Sequence, residues 1–259
     1  MPVNLKNDLF NLLTSKGERL PEVYKWLITN VWSDKNYNSK SALEYLEEGE
    51  KIVLKLEEVI QSSASAFYNE IVSASLKNKC LLSEFNPGKT AIVVFDGLSI
   101  REVPVLSKLA TETGYEILNS GYRIAGLPSD TTSFIEQNLL GKKIGPSQLE
   151  SRKELKEQNI KVYYYDSPIR YFNMSENGHN YLLWSAFPDG TYTDFNAKNS
   201  VHFETIIKQF DVAWKNTILT IPSDYRIIIT SDHGYIYLNA GFESNEKAEP
   251  SLKFLNQER

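Results

Sequence analysis

The hydrophobic residues of this chain change their spacing part-way along it. Up to about residue 82 they recur every three or four positions. "NLKNDLFNLLTSKG" sets Leu5, Leu9, Leu12 and Leu13 on one face, with Gly17 as a stop, and "PEVYKWLITNVW" opens on Pro21 and continues at helical spacing. "SKSALEYLEEGEKIVLKLEEVIQSSASAFYNEIVSASL" predicts one or two amphipathic helices, with Ser39 or Ser41 able to cap the start. Residues 1–82 are therefore expected to form a helical N-terminal region, a segment for packing or for docking a protein partner.

From residue 83 the pattern is different. Asn86-Pro87-Gly88 is a turn signal, and "TAIVVF" behind it is an unbroken, β-branched apolar run. Such a run suits a strand covered on both faces, as in a parallel sheet under helices. "YEILNSGYRIAGL", "IKVYYYD", "YLLWSAF" and "RIIIT" repeat the signal. Helical spacing returns at 99–113, 132–141, 147–157 and 200–219. The alternation predicts an α/β fold over residues 83–259, a doubly wound and mostly parallel sheet preceded by the helical segment. The polar tail from Glu243 reads as a surface helix or a frayed end.

Composition narrows the function classes. With 41% hydrophobic and 24% charged residues, the chain fits a soluble globular protein. A net charge of -5 offers no basic surface for nucleic acid. The single Cys80 excludes an internal disulfide and fits a reducing compartment, and it leaves oxygen and imidazole as the donors for any metal. The N-terminus has no apolar core of signal-peptide length, and no run approaches the ~20 apolar residues of a membrane span. The expectation is a cytoplasmic protein that does not enter a membrane.

In open α/β sheets, ligands gather beyond the carboxyl ends of the strands. The expected strands deliver Asp96-Gly97, Pro128-Ser129-Asp130-Thr131-Thr132, Asp166, Pro188-Asp189-Gly190 and Ser231-Asp232-His233-Gly234 to that edge. Taken singly, each reads as a polar turn, and a lone His as a hydrogen-bonded structural residue. Together, two Asp, one His and a hydroxyl form a hard donor set suited to Zn²⁺, Mn²⁺ or Mg²⁺. A hydroxyl beside such a cation is a candidate nucleophile for phosphoryl transfer. Lys142, Lys143 and Arg101 could meet a substrate anion, but a solvated helix end is the favoured reading for the lysines, and the anion role is likewise disfavoured for Arg101. The glycines form no dinucleotide or P-loop spacing.

"VVFDGLS", "GLPSDTTSFIEQNLLG" and "IIITSDHGYIY", in that order, resemble the PglZ branch of the alkaline phosphatase superfamily over about residues 90–240. The resemblance implies an alkaline phosphatase-like fold and a metal-dependent phosphoesterase, either phosphodiesterase or phosphatase. It implies a phosphate ester or nucleotide substrate and a place in bacterial phage defence. Asp96, Thr131, Asp232 and His233 would share one divalent metal, Zn²⁺ by preference, with Mn²⁺ or Mg²⁺ as alternatives. Thr131 would be the nucleophile, because Pro128-Ser129-Asp130-Thr131 follows the Pro-Thr-x-Thr register of relatives; Thr132 competes with it. Gly141, ten residues after Thr131, also matches. A position at a helix N-terminus would add free N–H groups and partial positive charge for a phosphate.

The second metal site departs from the family pattern, which uses an Asp, a His four residues later, and a His after the SDHG segment. This chain has His179, His202 and His233, with none after His233 and no Asp-x-x-x-His. Asp189 is the best stand-in for the acid, with Thr193, Asp194 or His202 as helpers, and His179 reads as a loop residue. The departure supports an alternative: a catalytically weak or inactive PglZ-like structural or regulatory subunit. Such a subunit would bind a protein partner of a defence complex through residues 1–82. An unrelated α/β binding domain is a third reading.

Overall fold

The computed structural model of the chain describes residues 18–61, 64–85, 89–173, 178–191 and 199–235. The expected first helix around residues 5–13 and the tail from Glu243 lie outside them.

Four parallel strands form the centre: β1 (Thr90–Asp96), β2 (Ile160–Tyr165), β3 (Asn180–Pro188) and β4 (Arg226–Thr230), ordered β2-β3-β1-β4. Helices α1 (Arg19–Trp26), α2 (Asp34–Asn38), α3 (Ala42–Gln61) and α4 (Ala64–Leu76) precede the sheet. Helices α5 (Val103–Glu112), α6 (Thr131–Ile135), α7 (Lys153–Glu157) and α8 (Asn199–Asn216) come after β1.

Every residue of β1 is buried, as its unbroken apolar run requires. Successive side chains point to opposite faces. Ala91, Val93 and Phe95 pack with Val105 of α5 and with Phe210 and Trp214 of α8. Ile92 and Val94 pack with Phe134 and Ile135 of α6 and Leu155 of α7. The sheet is thus covered by helices on both faces, which bears out the α/β, parallel reading.

A third apolar cluster joins Val23, Trp26, Trp32, Tyr45 and Leu46 to Phe203 of α8, so the N-terminal helices pack onto the α/β part. Of the two candidate caps for α3, Ser41 is used. Its Oγ accepts from the Glu44 N–H at 3.3 Å, and Glu44 Oε2 accepts from the Ser41 N–H at 3.0 Å, a reciprocal capping box.

Three segments differ from the sequence expectation. "YEILNSGYRIAGL" forms no strand: 115–126 is irregular, and Ile117, Leu118 and Tyr122 are exposed. Asn119-Ser120-Gly121 interrupts its apolar run, and side chains at the end of the N-terminal helices take its carbonyls. Asn78 Nδ2 donates to Ile124 O at 2.7 Å and Ser75 Oγ to Ala125 O at 3.3 Å. The helix expected at 147–157 splits into a 3-10 turn over Pro146–Ser151 and α7, because Arg152 between them is extended at ψ 122°. The helix expected at 132–141 continues α6 as a π turn over Glu136–Leu140, which Gly141 closes in the left-handed conformation at φ 66°. Among the described residues no helix is long and apolar enough to cross a membrane.

Gly49 of α3 lies against the ring of Trp32, and a Cβ there would sit 2.1 Å from a ring carbon. That ring is held edge-on to Tyr45 at 5.2 Å and under the Arg101 guanidinium at 5.6 Å, so it has little room to yield. Gly49→Ala should therefore destabilise the fold by about 1–3 kcal/mol through overpacking. It should do so although alanine favours helix by about 1 kcal/mol. Urea unfolding of the two proteins checks this; an unchanged or raised midpoint would contradict it.

Candidate metal centre

The register of β1 on β4 builds the site. Val94 lies opposite Thr230, so two residues further Asp96 comes level with Asp232. Beyond the ladder the two strand tips are cross-bonded. Ser231 Oγ donates to Phe95 O at 2.8 Å and accepts from the Leu98 N–H at 2.9 Å, while the Gly97 N–H donates to Asp232 Oδ1 at 3.1 Å. Gly97 adopts φ +72°, a conformation that favours glycine, and this turn brings its N–H to Asp232.

Helix α6 adds the hydroxyl. Asp130 caps it, accepting from the Ser133 N–H at 2.8 Å, from Ser133 Oγ at 2.8 Å and from Thr132 Oγ1 at 2.7 Å. The Thr132 hydroxyl is thereby engaged away from the strand tips. Thr131 Oγ1 instead lies 3.4 Å from Asp96 Oδ1 and 3.3 Å from His233 Nε2. His233 Nε2 lies 3.3 Å from Asp96 Oδ1 and 3.5 Å from Asp232 Oδ2.

These four separations are long for charge-assisted hydrogen bonds, which run at about 2.7–2.9 Å. They are close to the separation of about 3.3–3.4 Å between neighbouring ligands when metal bonds are about 2.0–2.1 Å long. Asp232 is 1% exposed, and its Oδ2 is buried without a hydrogen-bond partner. An orphaned carboxylate oxygen is costly in a dry interior, and a cation would satisfy it. Asp96, Asp232 and His233 offer ligand atoms all within 4.8 Å of one another, so this buried group could hold a metal ion.

The His233 ring is oriented for that role. Its Nδ1 is 2.9 Å from Gly234 O. A carbonyl can only accept, so Nδ1 carries the proton and the lone pair of the neutral ring lies on Nε2. Burial, then the negative charge of Asp96, pushes the Asp232 carboxyl up to about 6, with His233 opposing. Burial alone would pull His233 down, but the hydrogen bond to Asp96 and the charge of Asp232 carry it up to about 9.

Asp189 stands beside this group without joining it. A Cβ on Gly97 would lie 3.0 Å from Asp189 Cβ, which places Asp189 against the turn that follows Asp96. The protein behind Asp189 raises its pKa, and the charge of Asp96 raises it further. Its suggested helpers Thr193 and Asp194 lie outside the described residues, as does the side chain of His202. Asp166 is exposed at the tip of β2, and His179 sits in the loop before β3. Lys142 pairs with Glu154 at the surface, and Lys143 is exposed, in keeping with a solvated helix end.

Other residues that brace the site have little local sequence signal. Arg101 donates from Nε to Glu50 Oε1 of α3 at 2.5 Å and from Nη1 to Tyr235 O at 3.3 Å. Glu102 is fully buried and accepts from Tyr235 Oη at 2.5 Å and from Ser99 Oγ at 2.7 Å. These bonds tie the segment after Asp96 to the segment after His233. The Ser99-x-x-Glu102 spacing is a legible capping-box signature. The Arg101–Glu50 pair spans 51 residues and leaves no such trace. Set beside known protein families, curated proteins and solved structures, the chain shows no match to any of the three.

A metal ion at this group would compete with protons, because both Asp232 and His233 have raised pKa values. In the metal-free protein the stability held by protonated Asp232 is lost as pH rises from the ordinary 3.8 to about 6. That held by protonated His233 is lost between the ordinary 6.5 and about 9. Metal binding runs the other way. Apparent Zn²⁺ affinity should rise by about tenfold per unit between about pH 6.5 and 8.5, one proton leaving per ion, and more steeply below about 6. Competition against a chromogenic chelator measures this; an affinity independent of pH would remove His233 from the ligand set.

Proposed function

We propose that the chain is a metal-dependent phosphoesterase of the PglZ type, with an alkaline phosphatase-like site in which Thr131 is the nucleophile. The observation that carries this reading is the four-atom cage of Asp96 Oδ1, Thr131 Oγ1, His233 Nε2 and Asp232 Oδ2, with a reactive hydroxyl as one corner. The site chemistry favours Zn²⁺, because tetrahedral oxygen and imidazole ligands suit it; Mn²⁺ and Mg²⁺ prefer more oxygens. A bound ion would acidify the hydroxyl and offset charge on the phosphoryl oxygens.

The residues of the chain then act in order. Thr131 Oγ1 gives its proton to solvent water and attacks phosphorus, and the bond from phosphorus to the leaving oxygen breaks. The leaving alkoxide takes a proton back from solvent and departs as the alcohol. A second water cleaves the phosphorus bond of the threonine ester, restoring the hydroxyl and releasing the phosphate product. His233 is fixed by the Gly234 carbonyl and keeps Nε2 toward the reaction, while Trp184 Nε1, 3.5 Å from Asp96 Oδ2, bounds the carboxylate on its other side. A role in phage defence is part of this proposal through the sequence resemblance. So is a cytoplasmic location, which the single cysteine supports.

A second reading rests on Asp189, which stands alone at the rim among the described residues where a second metal would need further ligands. On that reading the chain is a weakly active or inactive regulatory subunit whose N-terminal helices dock a protein partner.

Hydrolysis of aryl phosphate mono- and diesters with added Zn²⁺ or Mn²⁺ separates the two. Thr131→Ala should lower turnover by at least about a thousandfold, whereas Thr132→Ala should stay within about tenfold of wild type. Bound metal without turnover on any ester would favour the regulatory subunit. Loss of turnover in Thr132→Ala alone would move the nucleophile by one residue.

A further inference from the structure

We propose that a cleft beside the metal centre takes a second anionic group of the substrate, a phosphate or carboxylate, on Arg123 and the backbone N–H groups of Ile124 and Ala125. The inference rests on the phosphoester reading above. The cleft has a volume of about 300 Å³, and residues 98–101 and 231–235, which follow or carry the metal ligands, line it together with Arg123, Ile124 and Ala125. A substrate whose phosphoryl group meets Thr131 would extend its remainder into this space.

Most polar groups of the cleft are already engaged. Ser231 Oγ accepts from the Leu98 N–H, and its single hydrogen lies within reach of both the Phe95 and His233 carbonyls. Ser99 Oγ is taken by Glu102, and Arg101 is paired with Glu50. Arg123 is different: among the described residues no carboxylate forms a close ion pair with it, and the charge of Glu84, which does act on it, is shared with Arg226. Its Nη2 donates to two neutral acceptors, the Lys79 carbonyl and Asn138 Oδ1, and its Nε is buried without a partner. The guanidinium lies over the Phe134 ring at 5.9 Å, on the helix that carries Thr131.

The next two residues add donors. The carbonyls of Ile124 and Ala125 are taken by Asn78 and Ser75, and their N–H groups have no partner among the described residues. A guanidinium without a close ion-pair partner, beside unpaired backbone N–H groups, can recognise phosphate or carboxylate oxygens. The volume is at the lower end for ligand pockets, about 300–1,000 Å³, which suits a compact charged group.

The test uses the Zn²⁺-loaded Thr131→Ala protein, which should bind esters without turning them over, and isothermal titration calorimetry. The probes are propyl phosphate, propane-1,3-diyl bisphosphate and 4-(phosphonooxy)butanoate. The bisphosphate, the carboxylate or both should bind at least about tenfold more tightly than propyl phosphate, and which one does names the second group. Adding Arg123→Gln should remove most of that advantage and leave propyl phosphate within about twofold. Arg123→Lys should restore part of it. No advantage for either two-anion probe in the protein with Arg123 intact would overturn the proposal without recourse to a variant. So would an advantage that survives Arg123→Gln. Failure of propyl phosphate to bind at all, with Zn²⁺ bound, would instead count against the phosphoester reading itself.

Discussion

The parallel pairing of β1 with β4 is the constraint on which the rest of the site depends. Asp96 and Asp232 are 136 positions apart in the chain, and the ladder brings them level only because Thr90 pairs with Arg226 and the offset is kept to the strand tips. In a strand the side chains alternate between faces, so a slip of one residue would turn Asp232 or its neighbour to the wrong side. Ser231 and Gly97 fasten the register after the strands end, with one hydroxyl and one amide each bridging from tip to tip.

That fastening holds groups that do not stabilise the protein by themselves. Two buried carboxylates and an imidazole meet with only long contacts between them, and one carboxylate oxygen is left without a donor. A fold organised for stability alone would bury apolar side chains there, as it does one residue earlier at Phe95. The apolar layers on both faces of the sheet, from Ala91–Phe95 and from Tyr181–Trp184, supply the rigidity that keeps the polar tip in place.

Much of this was legible in the sequence, and the parts that were not share one cause. "TAIVVF" announced a buried strand by composition, "RIIIT" announced a strand that turns out to be half-buried at the end of the described sheet, and the residues just past them announced the site by type. The sequence register favoured Thr131 over Thr132, but it could not show which hydroxyl Asp130 captures, a matter of local geometry two bonds wide. "YEILNSGYRIAGL" misled because its apolar content matched a strand, while its carbonyls found partners in Ser75 and Asn78, about 50 residues away. The sequence drew attention to Arg101, just past Asp96, and none to Arg123. One has Glu50 in a close ion pair, and the other has no such pair among the described residues; only the folded chain distinguishes them.

The Arg101–Glu50 pair has a consequence for how the molecule comes into being. Both side chains are nearly withdrawn from water, at 12% and 10% exposed, and each would be an uncompensated charge without the other. Glu50 belongs to the helices made early in synthesis, Arg101 to the turn after the first strand, and Tyr235, which the same guanidinium reaches, to the segment made after the last described strand. Contacts this distant in the chain form slowly and as a group. The charge of Glu50 is therefore compensated only when the turn after β1 docks against α3, so the helical N-terminal part depends on the α/β part for a partner to its buried acid.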